Sequence, residues 1–174
     1  MFLQITHGFF TVNRCMHCKI LPSRDKTFRR WITTNIIVVG KRNGGEEWIS
    51  KGYSEYEKRL LPTMNLQTTF LKSDDELIKA AQSAKGHIIA LDEKGKQYTS
   101  VRFTDMLYSG FEKGGSTVTF IIGGFAGLPA EIRLKYPLIS LSNLTWTHSM
   151  ARLLLTEQIY RATEIRKGSS YHKE

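Results

Sequence analysis

Only two cysteines occur in the 174 residues, Cys15 and Cys18. Two cannot staple a small secreted fold, and so low a count suits a reducing compartment. Long apolar runs are missing as well. Ile36-Ile37-Val38-Val39 is the kind of aliphatic run present, far short of the roughly 20 residues that a membrane-spanning helix needs. The chain contains no G-x-G-x-x-G dinucleotide fingerprint and no Gly-Lys-Ser/Thr phosphate loop. The basic stretch Gly40-Lys41-Arg42-Asn43-Gly44-Gly45 lacks the hydroxyl ending that nucleoside triphosphate chemistry requires. Internal repeats and low-complexity tracts are absent too. Acidic residues are scarce: 16 against 25 lysines and arginines, a net charge of +9. That balance favours an anionic partner such as nucleic acid.

The composition is otherwise ordinary, with 41% hydrophobic and 11% aromatic residues, which excludes a mainly disordered or collagen-like chain. The length suits one domain with a full core. Charge is uneven. Up to residue 34, Arg14, Lys19, Arg24, Lys26, Arg29 and Arg30 face a single acid, Asp25. An acid-poor basic leader of this kind, residues 1–31, reads as a targeting extension or an untemplated tail. Cys15-Met16-His17-Cys18 gathers three potential ligands without a second cluster, too few for a four-ligand zinc site, so no metal is expected.

From Ile36 the pattern alternates between strand and helix. Strands are predicted at Ile36–Val39, Leu66–Leu71, His87–Leu91, Thr117–Ile122 and Leu138–Leu141. Helices are predicted from Trp48 to Leu61, from Asp74 to about Ala84, from Thr99 to Phe111, briefly from Pro129, and from Met150 to Lys167. Pro62 stops the first helix and Gly168 caps the last. Asp92 to Lys96 reads as a loop. Such alternation argues for an α/β domain with a largely parallel sheet.

Four segments have the residue types for chemistry. The strand Thr117–Ile122 runs into Gly123-Gly124-Phe125-Ala126-Gly127, where glycines let a ligand approach the backbone at the carboxyl end of a strand. A tight strand-to-helix turn explains the same glycines. Leu91 closes another strand before Asp92-Glu93-Lys94-Gly95-Lys96, a ligand edge or a solvated loop. Ser142-Asn143-Leu144-Thr145-Trp146-Thr147-His148 groups hydroxyls, an amide, an indole and an imidazole ahead of the long helix. It can grip a small polar molecule or simply cap the helix. Last, Glu157 and Arg161 stand four apart on one helix face, and the chain ends Gly168-Ser169-Ser170-Tyr171-His172-Lys173-Glu174.

Taken together, these segments resemble one family. Leu91-Asp92, Gly123-Gly124, Ser142-x-x-Thr145-x-x-His148, Arg152, Glu157-Gln158-Ile159-Tyr160-Arg161-Ala162 and Gly168-x-x-Tyr171-His172-Lys173 follow in the order of the ribosomal RNA large subunit methyltransferase H family. Val39-Gly40-Lys41 and Tyr56-Glu57-Lys58-Arg59 match its amino-terminal part. The similarity runs from about residue 32 to the end, which makes 32–174 the domain. It implies the SPOUT fold, an α/β sheet with helices on both faces and a carboxyl-terminal trefoil knot, which sequence rules alone would not suggest.

The resemblance further implies a homodimer. That dimer would move a methyl group from S-adenosylmethionine to N3 of a pseudouridine in large-subunit ribosomal RNA, preferring assembled ribosomes. By motif match the cofactor contacts fall on Leu91, Gly124, Ser142, Asn143, Leu144, Thr145, Trp146 and Thr147. A uracil-type N3 is a weak nucleophile until its proton leaves, so the site needs positioning and a proton route. His148 and His172 are of the residue type that titrates near neutrality. Arg161 and Tyr171 suit holding the base or the RNA backbone. Two positions depart from the family pattern: Thr147 stands where proline is frequent, and Phe125-Ala126 where a pair such as Pro-Glu is. Both bear on loop stiffness.

Two other readings compete. One is an inactive basic ribosome-binding module of the same fold, against which the intact glycines and the Tyr171-His172 ending weigh. The other is a dehydrogenase-like enzyme, against which the missing fingerprint weighs. A ribosome of bacterial type implies the bacterial cytoplasm, or a plastid or mitochondrion if the leader is a transit peptide.

Overall fold

The computed structural model describes residues 32–41 and 46–173. The basic leader with its Cys15 and Cys18, residues 42–45 of the first basic loop, and Glu174 lie outside the described residues.

Five strands form one sheet. They are β1 (Ile32–Val39), β2 (Met64–Leu71), β3 (His87–Gln97), β4 (Thr117–Ile122) and β5 (Leu138–Ser140). Their order across the sheet is β2-β1-β4-β3-β5, and every pairing is parallel. The connecting helices are α1 (Glu47–Leu60), α2 (Asp74–Ser83), α3 (Ser100–Lys113) and α4 (Ala130–Lys135), with α5 (His148–Lys167) closing the fold. A parallel sheet needs cover on both faces, and the core divides accordingly. Ile36 and Val38 face a cluster with Tyr53 of α1, Leu107 of α3 and Leu155 and Ile159 of α5. Ile37 faces the opposite cluster with Leu77 and Ala81 of α2 and Ile132 of α4.

β1 begins four residues before the predicted Ile36. Its opening Ile32-Thr33-Thr34-Asn35 looks too polar for a buried strand, but β1 is central and its polar groups find partners. Thr34 is fully buried, with its hydroxyl against the Met64 sulfur at 3.5 Å. The Asn35 amide donates to Thr119 Oγ1 at 3.2 Å.

The reading of Asp92 to Lys96 as a loop is corrected. β3 continues through it to Gln97. Ile139 of β5 pairs with both Leu91 and Lys96, so the chain bulges between these two residues and then rejoins its neighbour. Gly95 makes the return possible, because a β-carbon there would overlap the backbone of Ile139. Charge and glycine hide this extension from a period-2 search.

α5 starts at His148 rather than Met150, and Thr147 caps it by accepting from the Met150 amide at 3.3 Å. Gly168 ends it in the left-handed conformation, φ 69°, as a helix-terminating glycine commonly does. Among the described residues no helix is long and apolar enough to cross a membrane.

Candidate functional site

β1 and β4 end, and β3 bulges, at one level of the sheet. Val38 of β1 and Leu91 of β3 are both in register with Ile122 of β4. Residues just beyond them therefore crowd one edge of the sheet, where ligands of open α/β folds bind. A cleft of about 280 Å³ lies there. Its floor is the turn after β4. The Gly127 amide donates to the Gly124 carbonyl at 3.0 Å, leaving Phe125 and Ala126 at the tip. Gly127 has φ +82°, which a side chain would resist. The missing β-carbon of Gly124 faces Val39 Cγ1 at 3.0 Å. That glycine therefore lets the turn sit down on the end of β1, so the tight-turn reading and the ligand-edge reading describe one object.

The segment 142–147 forms the opposite wall, held by its own hydroxyls. Ser142 Oγ accepts from the Leu144 amide at 3.0 Å and from the Trp146 indole at 2.8 Å. Ser140 Oγ donates to the Ser142 carbonyl at 2.7 Å. Two side-chain bonds tie this wall to the bulge of β3: Thr145 Oγ1 donates to Glu93 Oε2 at 3.2 Å, and the Gln97 amide donates to Asn143 Oδ1. The His148 ring packs on the turn after β1, its Nε2 2.9 Å from where a β-carbon of Gly40 would stand. Leu91, Gly124, Ser142, Leu144, Thr145, Trp146 and His148 thus line one cleft. Asn143 turns to Gln97, and the Thr147 hydroxyl is spent on the helix cap.

One buttress of the cleft has no sequence signal. Asp92, its side chain only 3% exposed, pairs with Arg133 of α4, Nε to Oδ2 at 2.7 Å. Its other oxygen accepts the Lys94 amide at 3.0 Å. The guanidinium also covers the turn, with Nη2 3.1 Å from a β-carbon position on Gly127. One arginine thereby joins β3, α4 and the glycine turn.

Arg161, Tyr171 and His172 lie elsewhere. Arg161 grips Glu157 through Nη2 at 2.6 Å and Nε at 3.1 Å. The Tyr171 hydroxyl donates to the same carboxylate oxygen at 3.1 Å, and the Arg161 guanidinium lies 4.9 Å over the Tyr171 ring. Tyr160 meets that ring edge-on at 5.0 Å. Burial, the Tyr56 hydroxyl and the Glu157 charge push the Tyr171 phenol well above its ordinary range, so it stays protonated at neutral pH. Glu157 keeps Arg161 firmly charged. His172 Nδ1 is buried and has no hydrogen-bond partner among the described residues. His148 and Arg161 are separated by roughly 20 Å of α5, at about 1.5 Å per residue. Within the chain, the tail cluster and the cleft stand far apart. Among the described residues no group of three or more His, Cys, Asp or Glu side chains could hold a metal.

Comparison with known proteins places this geometry. The family model described as Predicted SPOUT methyltransferase matches residues 32–172. The Ribosomal RNA large subunit methyltransferase H of Protochlamydia amoebophila is 44% identical over 138 residues, covering 79% of this chain and 96% of the relative. Its namesake from Prochlorococcus marinus is 39% identical, covering 80% and 94%. Among solved structures, a probable methylase family protein from Haemophilus influenzae Rd KW20 shares the fold. Its TM-score is 0.51 at 13% identity, with 83% of this chain and 71% of that chain covered.

Proposed function

The chain belongs to the SPOUT methyltransferase family, and from that premise we propose that it methylates large-subunit ribosomal RNA with S-adenosylmethionine as donor. The observation that carries this reading is the coincidence of the cleft with the motif residues. Three of the segments that carry the resemblance, at Leu91-Asp92, Gly123-Gly124 and Ser142 to His148, build its floor and walls. The cleft suits the donor chemically. Leu91, Ile122, Ile139 and Trp146 offer apolar surface for a flat ring, and Ser142, Thr145 and the turn backbone offer polar groups at its edge. When bound, the donor supplies an activated methyl on a sulfonium, so the chemistry needs no metal.

The finer reading is transfer to N3 of a pseudouridine on assembled ribosomes, by a homodimer with the family's carboxyl-terminal knot. The relatives are named as large-subunit ribosomal RNA methyltransferases, the motif resemblance to their family implies the target atom, and the tail cluster's distance from its own cleft favours a dimer. In this reading His148, seated on Gly40 at the cleft, is placed to take or relay the N3 proton. Arg161, Tyr171 and His172 hold the RNA from the partner's side. Residues 1–31 lie before the methyltransferase domain, and the bacterial cytoplasm is the proposed compartment. Calorimetry with S-adenosylmethionine, followed by mass spectrometry of ribosomal RNA from cells lacking the protein, tests the whole reading. Micromolar cofactor binding and one missing N3-methylpseudouridine are expected. Absence of cofactor binding, or an unchanged RNA, refutes it.

A further inference from the structure

Phe125 is the most exposed large apolar side chain among the described residues, at 106% of its reference area. It stands at the tip of the Gly124–Gly127 turn, on the rim of the cleft. The turn beneath it is braced by its neighbours. It is closed by the Gly127 amide, seated on Val39 through Gly124, anchored by buried Leu128 and covered by Arg133. A fully exposed phenylalanine costs solvation, and nothing in the turn itself requires an aromatic ring. We propose that Phe125 is a substrate-positioning platform, on which an unpaired base of the RNA stacks as the target nucleotide enters the cleft.

This inference rests on the reading of the chain as an RNA methyltransferase. Three observations favour a base over other occupants. The ring stands among the residues that line the cleft, free to meet a substrate. It has only two side-chain torsions to fix, so stacking on it orders little. A cation stands beside it: the Arg133 side chain, 39% exposed, covers Gly127 of the same turn. Exposed aromatics beside basic groups are how proteins hold single-stranded bases.

The test compares wild type, Phe125→Ala and Phe125→Trp in three assays. These are S-adenosylmethionine calorimetry, sedimentation, and methyl transfer to undermethylated bacterial-type ribosomes over a range of ribosome concentrations. Phe125→Ala should raise KM for ribosomes roughly 5- to 150-fold, the range that base–aromatic stacking gives. Phe125→Trp should restore KM to near the wild-type value, and cofactor affinity should change little in either. An unchanged KM in Phe125→Ala overturns the proposal. So does a shift of Phe125→Ala toward monomer, which would seat the ring on a second copy, or a parallel loss of cofactor affinity, which would make it part of the donor site. A wild-type protein that binds the cofactor but never methylates ribosomes defeats the functional reading itself, a result distinct from all of these.

Discussion

Gly123 has no room for a β-carbon, because one built there would overlap the Gly127 carbonyl and the Leu128 amide. A side chain could rotate away from such a clash, but backbone cannot. Gly123→Ala must therefore open the turn at the cleft floor. Overpacking of this kind costs about 1–3 kcal/mol, a fall in Tm of roughly 3–10 °C for a chain of this size. S-adenosylmethionine affinity should drop at least tenfold in calorimetry, and an unchanged affinity would remove the turn from the donor site. Arg133 acts on the same turn through charge. Removing its guanidinium leaves the buried Asp92 carboxylate with the Lys94 amide alone. The pair lies between an exposed bridge and a fully buried one, so Arg133→Met should cost about 1–2 kcal/mol in urea unfolding. The double variant Arg133→Met/Asp92→Asn should recover part of that loss, and strict additivity would show that the pair contributes nothing. This buttress could not be read from the sequence. Asp92 and Arg133 are 41 residues apart, and no periodicity joins them. The glycines were legible because a strand that ends in them is unusual in itself.

At the scale of elements, what was legible followed burial. Thr117–Ile122 was located to the residue, being β-branched and buried almost throughout. The opening of β1 and the end of β3 were not, because their polar residues are tolerated only through tertiary contacts: Thr34 against Met64, and Gly95 under Ile139. The start of α5 shows the opposite case, in which local chemistry decides. Thr147 occupies the N-cap with φ −62° and ψ 152°, and its hydroxyl satisfies the Met150 amide. Losing that bond in Thr147→Ala should lower stability by about 1 kcal/mol. Proline, frequent here in the family this chain resembles, fits the observed φ. Thr147→Pro loses the same bond but gains about 0.4–1 kcal/mol by restricting the unfolded chain. Thermal scans should therefore place Thr147→Pro near wild type and above Thr147→Ala. A proline variant less stable than the alanine one would mean that the backbone before α5 needs a freedom the observed φ does not reveal.

For the whole molecule, the telling feature is the length of α5. The cleft gathers at its first turn, and Arg161, Tyr171 and His172 gather past its middle, about 20 Å away. No side chain spans that gap, so one subunit cannot bring its tail cluster to its own cleft without rebuilding α5. The helix is fixed on both sides by α1 and α3, and Leu155 and Ile159 are fully buried. Yet the tail is an ordered construction. One Glu157 oxygen receives Arg161 and Tyr171 together, and Tyr160 closes the ring from the side. The proposed homodimer would resolve this, with a two-fold pairing that brings each tail to the other subunit's cleft. Truncation after Gly168 should then leave cofactor binding intact and abolish methyl transfer to ribosomes. Mixed with Gly123→Ala subunits, which keep their tails but bind the donor poorly, the truncated protein should regain activity. In each mixed dimer, the intact cleft of one chain meets the intact tail of the other. The regained rate should rise with the fraction of mixed dimers, to at most about half the wild-type rate, because one of the two sites stays dead. Activity of the truncated protein alone, or no recovery on mixing when sedimentation shows that mixed dimers have formed, would mean that the tail does not complete its partner's site.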